Sequence, residues 1–269
     1  MRYLLTALTL IYATSCCKKS EDRFVEISGK KLHLLERGER EPTVVFLTGM
    51  LCPLEFFYTV QSQISKETKT FSYDRSGLGL SEILDTVRTL DHVANELNSL
   101  LTHEDIKGPY ILVAHSYGGN VARQFYIQFP DKVAGFVFVD CANNEIFFDS
   151  LFQKKLIPED FPGKDSLATV GEQYELDYIK QNLLWFKEGF TTQLPVQLLV
   201  ASGKKVGLSN EIMSIKVNTY KQFNKGAPQM KIIFTDKSGH HIQRDQPELV
   251  INSIKEVLKE VRDKEMINK

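Results

Sequence analysis

From about residue 24 onward, short apolar runs alternate with segments of helical spacing. Residues 43–47 form a continuous β-branched and apolar run that stops at Gly49, the pattern of a strand buried on both faces. Further strands are predicted over 70–73, 110–114, 133–139, 196–201 and 230–234, of which 133–139 is apolar throughout. Two earlier runs, 24–27 and 31–36, flank Ser28-Gly29-Lys30 and predict a strand–turn–strand opening. Between these runs, Leu90, Val93, Ala94, Leu97, Leu100 and Leu101 fall on one helical face. Residues 53–64, with Pro53 in the first turn, 118–129 and 249–261, after Pro247, are the other helical segments. Strands that alternate with helices predict an α/β architecture: a mostly parallel eight-stranded sheet with helices on both faces.

Residues 143–190 interrupt that alternation. The segment is rich in charge and in aromatics, among them Phe147, Phe148, Phe152, Trp185 and Phe186. Disordered segments are poor in aromatics, so it is expected to be a helical lid inserted after the sixth strand. The core domain is then 18–142 together with 191–269.

The first 17 residues have a different character. Arg2 precedes an apolar run from Tyr3 to Ala13, too short to span a bilayer but of the length of a signal-peptide core. Ala13-Thr14-Ser15-Cys16 and the charged stretch after it resemble a bacterial lipoprotein processing site, with Ala13 where Leu is usual. The expectation is export, with Cys16 as the lipid-attachment residue and a lipid anchor as the only membrane contact. Simple secretion after cleavage nearby is the alternative.

Composition narrows the partners. The chain has 269 residues, 42% hydrophobic and 25% charged, with a formal net charge of -1. Neither sign is in excess, so nothing points to a nucleic-acid partner. Four cysteines do not make a disulfide framework, and Cys52 and Cys141 fall just after strands, where pairing is open. His33, His92, His103 and His115 are scattered and form no paired-ligand motif, so no metal or other cofactor is expected.

The most informative segment is AHSYGG at 114–119, which follows an apolar strand and opens a helix. A nucleophile elbow needs that context: a sharp turn lifts a serine above the sheet edge, and small residues flank it because strand and helix backbones come close. Ala114 stands where the first glycine of G-x-S-x-G is usual, and Gly118 fills the last position. Ser116 is the candidate nucleophile. The helix behind it directs its positive end at the place where an oxyanion would develop.

With these residues in hand, the chain resembles the α/β-hydrolase superfamily from about Phe24 onward. TVVFLTGM (43–50) is similar to its third strand and oxyanion loop. YDRSGLGLS (73–81) resembles the loop after its fourth strand, and PYILVAHSYGG (109–119) its nucleophile segment. SGHHIQRDQPE (238–248) resembles the stretch that carries its catalytic histidine. The resemblance implies His240, directly after Gly239, as the general base, with His241 as competitor. His115 is expected to pack beneath the turn. The acid is open. GKKV (203–206) has no carboxylate where most members carry one, after the seventh strand. A subset places it after the sixth, which is Asp140; Glu211 and Asp236 are the alternatives. The resemblance further implies the backbone N–H groups of Tyr117 and Met50 as oxyanion donors, and a bracing role for Asp74 and Arg75.

A serine nucleophile fits acyl transfer, with ester hydrolysis on a small to medium apolar acyl substrate as the leading expectation. Amide hydrolysis, C–C bond hydrolysis and acyl transfer share the fold. A binding protein that retains the hydrolase fold is the reading from another class.

Overall fold

The computed structural model describes residues 21–141, 144–156, 169–183, 190–223 and 226–267. The signal segment and Cys16 lie outside the described residues, as do Trp185 and Phe186. Among the described residues, no helix is long and apolar enough to cross a membrane.

Eight strands form one sheet: β1 (Glu21–Ile27), β2 (Lys30–Arg37), β3 (Val44–Leu47), β4 (Thr70–Tyr73), β5 (Tyr110–His115), β6 (Val133–Val139), β7 (Val196–Ala201) and β8 (Lys231–Thr235). Their order is β1-β2-β4-β3-β5-β6-β7-β8. The strands β1 and β2 form an antiparallel hairpin, and β2 pairs antiparallel with β4. The six strands from β3 on run parallel. All their C-terminal ends therefore meet at one sheet edge, where ligands bind in open parallel sheets.

Side-chain alternation divides the central strands between two cores. In β5, Leu112 and Ala114 face one side, and Ile111 and Val113 the other. In β6, Phe136 and Phe138 face the first side, and Val137 and Val139 the second. Each of these Leu, Ile, Val and Phe side chains contributes about 1.5–3 kcal/mol when fully buried, before the cost of ordering the chain.

The first core is covered by α2 (Leu90–His103) and α3 (Gly118–Gln128). The apolar face anticipated for α2 is the buried one. The second core is covered by α1 (Tyr58–Ile64) and α8 (Pro247–Ile267). Residues 53–64 are not one helix, because a tight turn over Leu54–Phe57 precedes α1. The segment 143–190 holds α4 (Asn144–Gln153) and α5 (Val170–Leu183). A further helix, α6 (Asn210–Phe223), fills the β7–β8 connection, where no helix was anticipated. The short α7 (Ile242–Asp245) leads into α8.

Candidate active site

The elbow at Ser116 is built by close approach. Ser116 has a positive φ of 50°, a conformation that costs a non-glycine residue about 1–3 kcal/mol. The turn is locked on both sides. Ser116 N–H donates to Val139 O at 3.1 Å, and Gly119 N–H donates to Ser116 O at 2.9 Å. A Cβ on Gly118 would lie 2.3 Å from Leu47 O, and one on Gly119 would lie 2.6 Å from Cys141 Sγ. Only glycine lets α3 start this close to the end of β3.

Asp140 follows β6 and also has a positive φ, 53°. Its N–H donates to Leu199 O of β7, which turns the side chain along the sheet edge. His240 lies beyond β8 and spans the gap between carboxylate and serine. Its Nδ1 is 2.7 Å from Asp140 Oδ2, and its Nε2 is 2.9 Å from Ser116 Oγ. An ionised Asp140 holds the proton on Nδ1 and leaves the Nε2 lone pair facing the serine hydroxyl. The Asp140 side chain is fully buried, whereas that of His240 is 43% exposed, so the imidazole is reached from solvent.

Burial works against the Asp140 charge, but four donors oppose it. Besides His240, Lys216 Nζ donates to Oδ2 at 2.8 Å, Ala201 N–H to Oδ1 at 3.0 Å and the Tyr220 hydroxyl to Oδ1 at 3.4 Å. The His240 hydrogen bond and the Lys216 charge outweigh the desolvation and hold the carboxyl below its usual range. Burial beside Asp140 raises the Tyr220 phenol well above its ordinary value, so the hydroxyl stays a donor.

The other candidates lie elsewhere. Glu211 is exposed at the start of α6, 3.8 Å from Lys154. Asp236 is exposed after β8. The His241 ring packs on Phe56 and His115 rather than on Ser116. Burial, reinforced by His240 and Arg244, depresses its pKa. His115 is buried beneath the elbow, and its Nε2 donates to His240 O at 3.0 Å. Burial and the two neighbouring imidazoles push its pKa well below the ordinary value. Cys52 and Cys141 are free thiols. The Cys141 thiol donates to Ala114 O, and burial raises the Cys52 pKa to about 11.

The loop after β3 runs past the elbow and carries Met50, half-buried against the first core. Arg75 grips it: the guanidinium donates to Thr48 O at 3.0 Å and to Gly49 O at 2.8 Å. Its partner is Glu175 of α5, 2.7 Å from Arg75 Nε and also buried. The neighbouring Asp74 accepts hydrogen bonds from Leu54 N–H, Leu80 N–H and His33 Nδ1. Sequence reasoning missed Glu175, Lys216 and Tyr220, which sit on helices with no motif.

A cavity of about 290 Å³ opens beside Ser116 and His240, walled by Phe147, Val206, Leu208 and Tyr220. A larger one of about 450 Å³, between the β1–β2 turn and α2, holds none of the Ser116–His240–Asp140 side chains. Among the described residues, no group of His, Cys, Asp and Glu side chains is arranged to hold a metal ion.

Comparison with known proteins agrees with this architecture. The family model described as the alpha/beta hydrolase fold matches residues 42–192. The uncharacterized protein YqjL of Bacillus subtilis is 34% identical over 117 residues, which are 43% of this chain and 46% of that protein. The uncharacterized protein YbdG of the same organism is 30% identical over 124 residues, 45% of this chain and 38% of that protein. The matched stretches thus span less than half the length of these curated relatives. Among solved structures, an epoxide hydrolase of Bacillus megaterium superposes with a TM-score of 0.68 over 88% of this chain and 100% of its own, at 15% identity. At that identity the likeness is one of fold.

Proposed function

The chain belongs to the α/β-hydrolase fold family, and on that premise we propose that it hydrolyses carboxylic esters through an acyl-enzyme on Ser116. The observation that carries the reading is the unbroken hydrogen-bonded chain from Ser116 Oγ through His240 to Asp140 Oδ2. A protein that only binds has no need of a strained serine facing an imidazole held by a buried carboxylate.

In the first half-reaction, Ser116 Oγ attacks the ester carbonyl carbon while His240 Nε2 takes the hydroxyl proton. The carbonyl oxygen becomes an oxyanion that accepts from the N–H groups of Tyr117 and Met50. Collapse breaks the bond to the alkoxide, which leaves as alcohol with the proton from His240. Water then attacks the acyl-serine by the same route, giving the acid and the free serine. Asp140 remains a carboxylate throughout and stabilises the imidazolium. The apolar wall of the cavity favours an apolar acyl group of small to medium size. An epoxide hydrolase of this fold is among the structural neighbours, but Ser116 holds the nucleophile position, and a serine is suited to acyl transfer. Export belongs to the same reading, supported by the apolar run before Cys16 and the charged stretch after it.

The test is hydrolysis of a series of p-nitrophenyl esters by the parent, Ser116→Ala and Asp140→Asn. Turnover is expected in the parent, to vanish in Ser116→Ala and to fall at least 100-fold, by order of magnitude, in Asp140→Asn. A parent that neither turns over any ester nor reacts with a fluorophosphonate is not a serine hydrolase.

A further inference from the structure

One side chain of the inserted segment, Glu175, reaches the loop after β3. Glu175 of α5 is 1% exposed. Its Oε2 accepts the Leu51 N–H at 2.7 Å and Arg75 at 3.0 Å, and its Oε1 accepts Arg75 Nε at 2.7 Å. Leu51 itself has a positive φ of 56°, a conformation that persists only when its surroundings hold it. Arg75, fixed by Glu175, grips the carbonyls of Thr48 and Gly49 on the other side of Met50. The peptide that carries the Met50 N–H is thus held from both flanks by one buried ion pair.

The helix that supplies Glu175 is itself fastened. A Cβ on Gly171 would lie 2.0 Å from Gly77 O, so α5 starts in direct backbone contact with the loop after β4. Leu176 and Ile179 belong to the first core. Asn182 is fully buried, and its Nδ2 donates to Arg88 O at 2.6 Å and to the Tyr117 hydroxyl at 2.9 Å. The Asn120 side chain donates in turn to Asn182 O at 2.9 Å. A helix that only covered the pocket would not need buried polar ties of this kind, because each unmet one costs about 1–3 kcal/mol.

We propose that Glu175 is a positioning residue for the oxyanion loop, so that α5 is a fixed part of the catalytic apparatus and not a cover that lifts away. The proposal rests on the reading of Met50 N–H as an oxyanion donor. Glutamine at position 175 keeps the shape and one acceptor, which can still face Leu51 N–H, but it removes the charge and sets an NH2 donor against the Arg75 Nε–H that Oε1 now accepts.

The experiment compares the parent, Glu175→Gln and the double variant Arg75→Met/Glu175→Met, which exchanges the buried pair for apolar groups of similar size and so leaves no buried charge unpaired. Ester kinetics are measured with the affinity for a trifluoromethyl ketone, whose adduct places an oxyanion at the same donors. Both variants are expected to lose about 10- to 100-fold in kcat and a similar factor in ketone affinity, with KM within about twofold of the parent. Variants that match the parent in kcat and ketone affinity, with only the melting temperature changed, would make Glu175 a structural residue and overturn the proposal. A parent that neither turns over esters nor binds the ketone would remove the hydrolase reading, and the proposal with it.

Discussion

The ammonium of Lys216 lies 2.8 Å from Oδ2 of Asp140, the same oxygen that receives His240 Nδ1. Both side chains are buried, and Lys216 also donates to Ala201 O at 2.8 Å. Breaking a buried pair from one side leaves an uncompensated charge, at a cost of about 3–5 kcal/mol. Lys216→Met is therefore expected to lower the melting temperature by roughly 10 °C. The hydrogen bond from His240 to Asp140 does not pass through the lysine, so the folded fraction should still react with a fluorophosphonate. An unchanged melting temperature would mean that the pair contributes nothing to stability.

Legibility of the site in the sequence followed how local each constraint is. The elbow could be found because its steric demand falls on adjacent residues: Ser116 needs Gly118 and Gly119 at fixed offsets, where Leu47 O and Cys141 Sγ leave no room for a Cβ. The central parallel strands were legible because buried parallel strands are largely apolar runs, and the antiparallel β1–β2 pair because Ser28-Gly29-Lys30 sits between two runs. The carboxylate on His240 was not fixed by spacing, since Asp140, Glu211 and Asp236 all follow strands or open helices near the same edge. Only the fold brings one of them to 2.7 Å from the imidazole. The helix α6 escaped because its most buried positions include Lys216 and Thr219, polar residues that blur the apolar stripe by which helices are recognised. Glu175 had no signal, because its partner Arg75 is 100 positions away.

The positive φ of Ser116 separates stability from activity. Alanine at this position removes the hydroxyl but keeps the strained backbone, whereas glycine relieves the strain. Ser116→Gly is expected to be about 1 kcal/mol more stable than Ser116→Ala in urea unfolding, net of the extra freedom glycine gives the unfolded chain. Both should lack ester turnover. Equal stabilities would mean that the elbow conformation carries no strain for an alanine.

His33 makes stability depend on pH above neutrality. Burial opposes its protonation, but the hydrogen bonds to Asp74 at 2.7 Å and Asp22 at 2.8 Å, with the charges of both carboxylates, raise its pKa above the ordinary value. A raised histidine stabilises the fold fully below the unfolded pKa of about 6.5, and that contribution is lost as pH rises through the folded value. Unfolding free energies between about pH 6 and pH 9 should decline more steeply in the parent than in His33→Gln. Parallel curves would show that His33 is not protonated preferentially in the folded state.

In the proposed esterase, Phe147 is expected to set the size of the acyl group. The cavity beside Ser116 is about 290 Å³, at the small end of ligand pockets, which run from about 300 to 1,000 Å³. Phe147 of α4 lines it, together with Val206 and Leu208 of the β7–β8 connection. A cavity of this size accommodates a short acyl chain, and a longer one must displace the phenyl ring. In the parent, kcat/KM is expected to be highest for short-chain p-nitrophenyl esters and to fall for octanoate. Phe147→Ala removes the wall without touching Ser116, His240 or Asp140. It should move the octanoate-to-butyrate ratio of kcat/KM upward by about 10-fold or more, since an apolar pocket discriminates by at least about 10-fold for a single methylene and these chains differ by four. The comparison is internal to each protein, so a loss of overall activity cannot imitate it. A ratio unchanged from the parent would mean that the acyl chain does not enter this cavity and leaves by the open side of His240 instead.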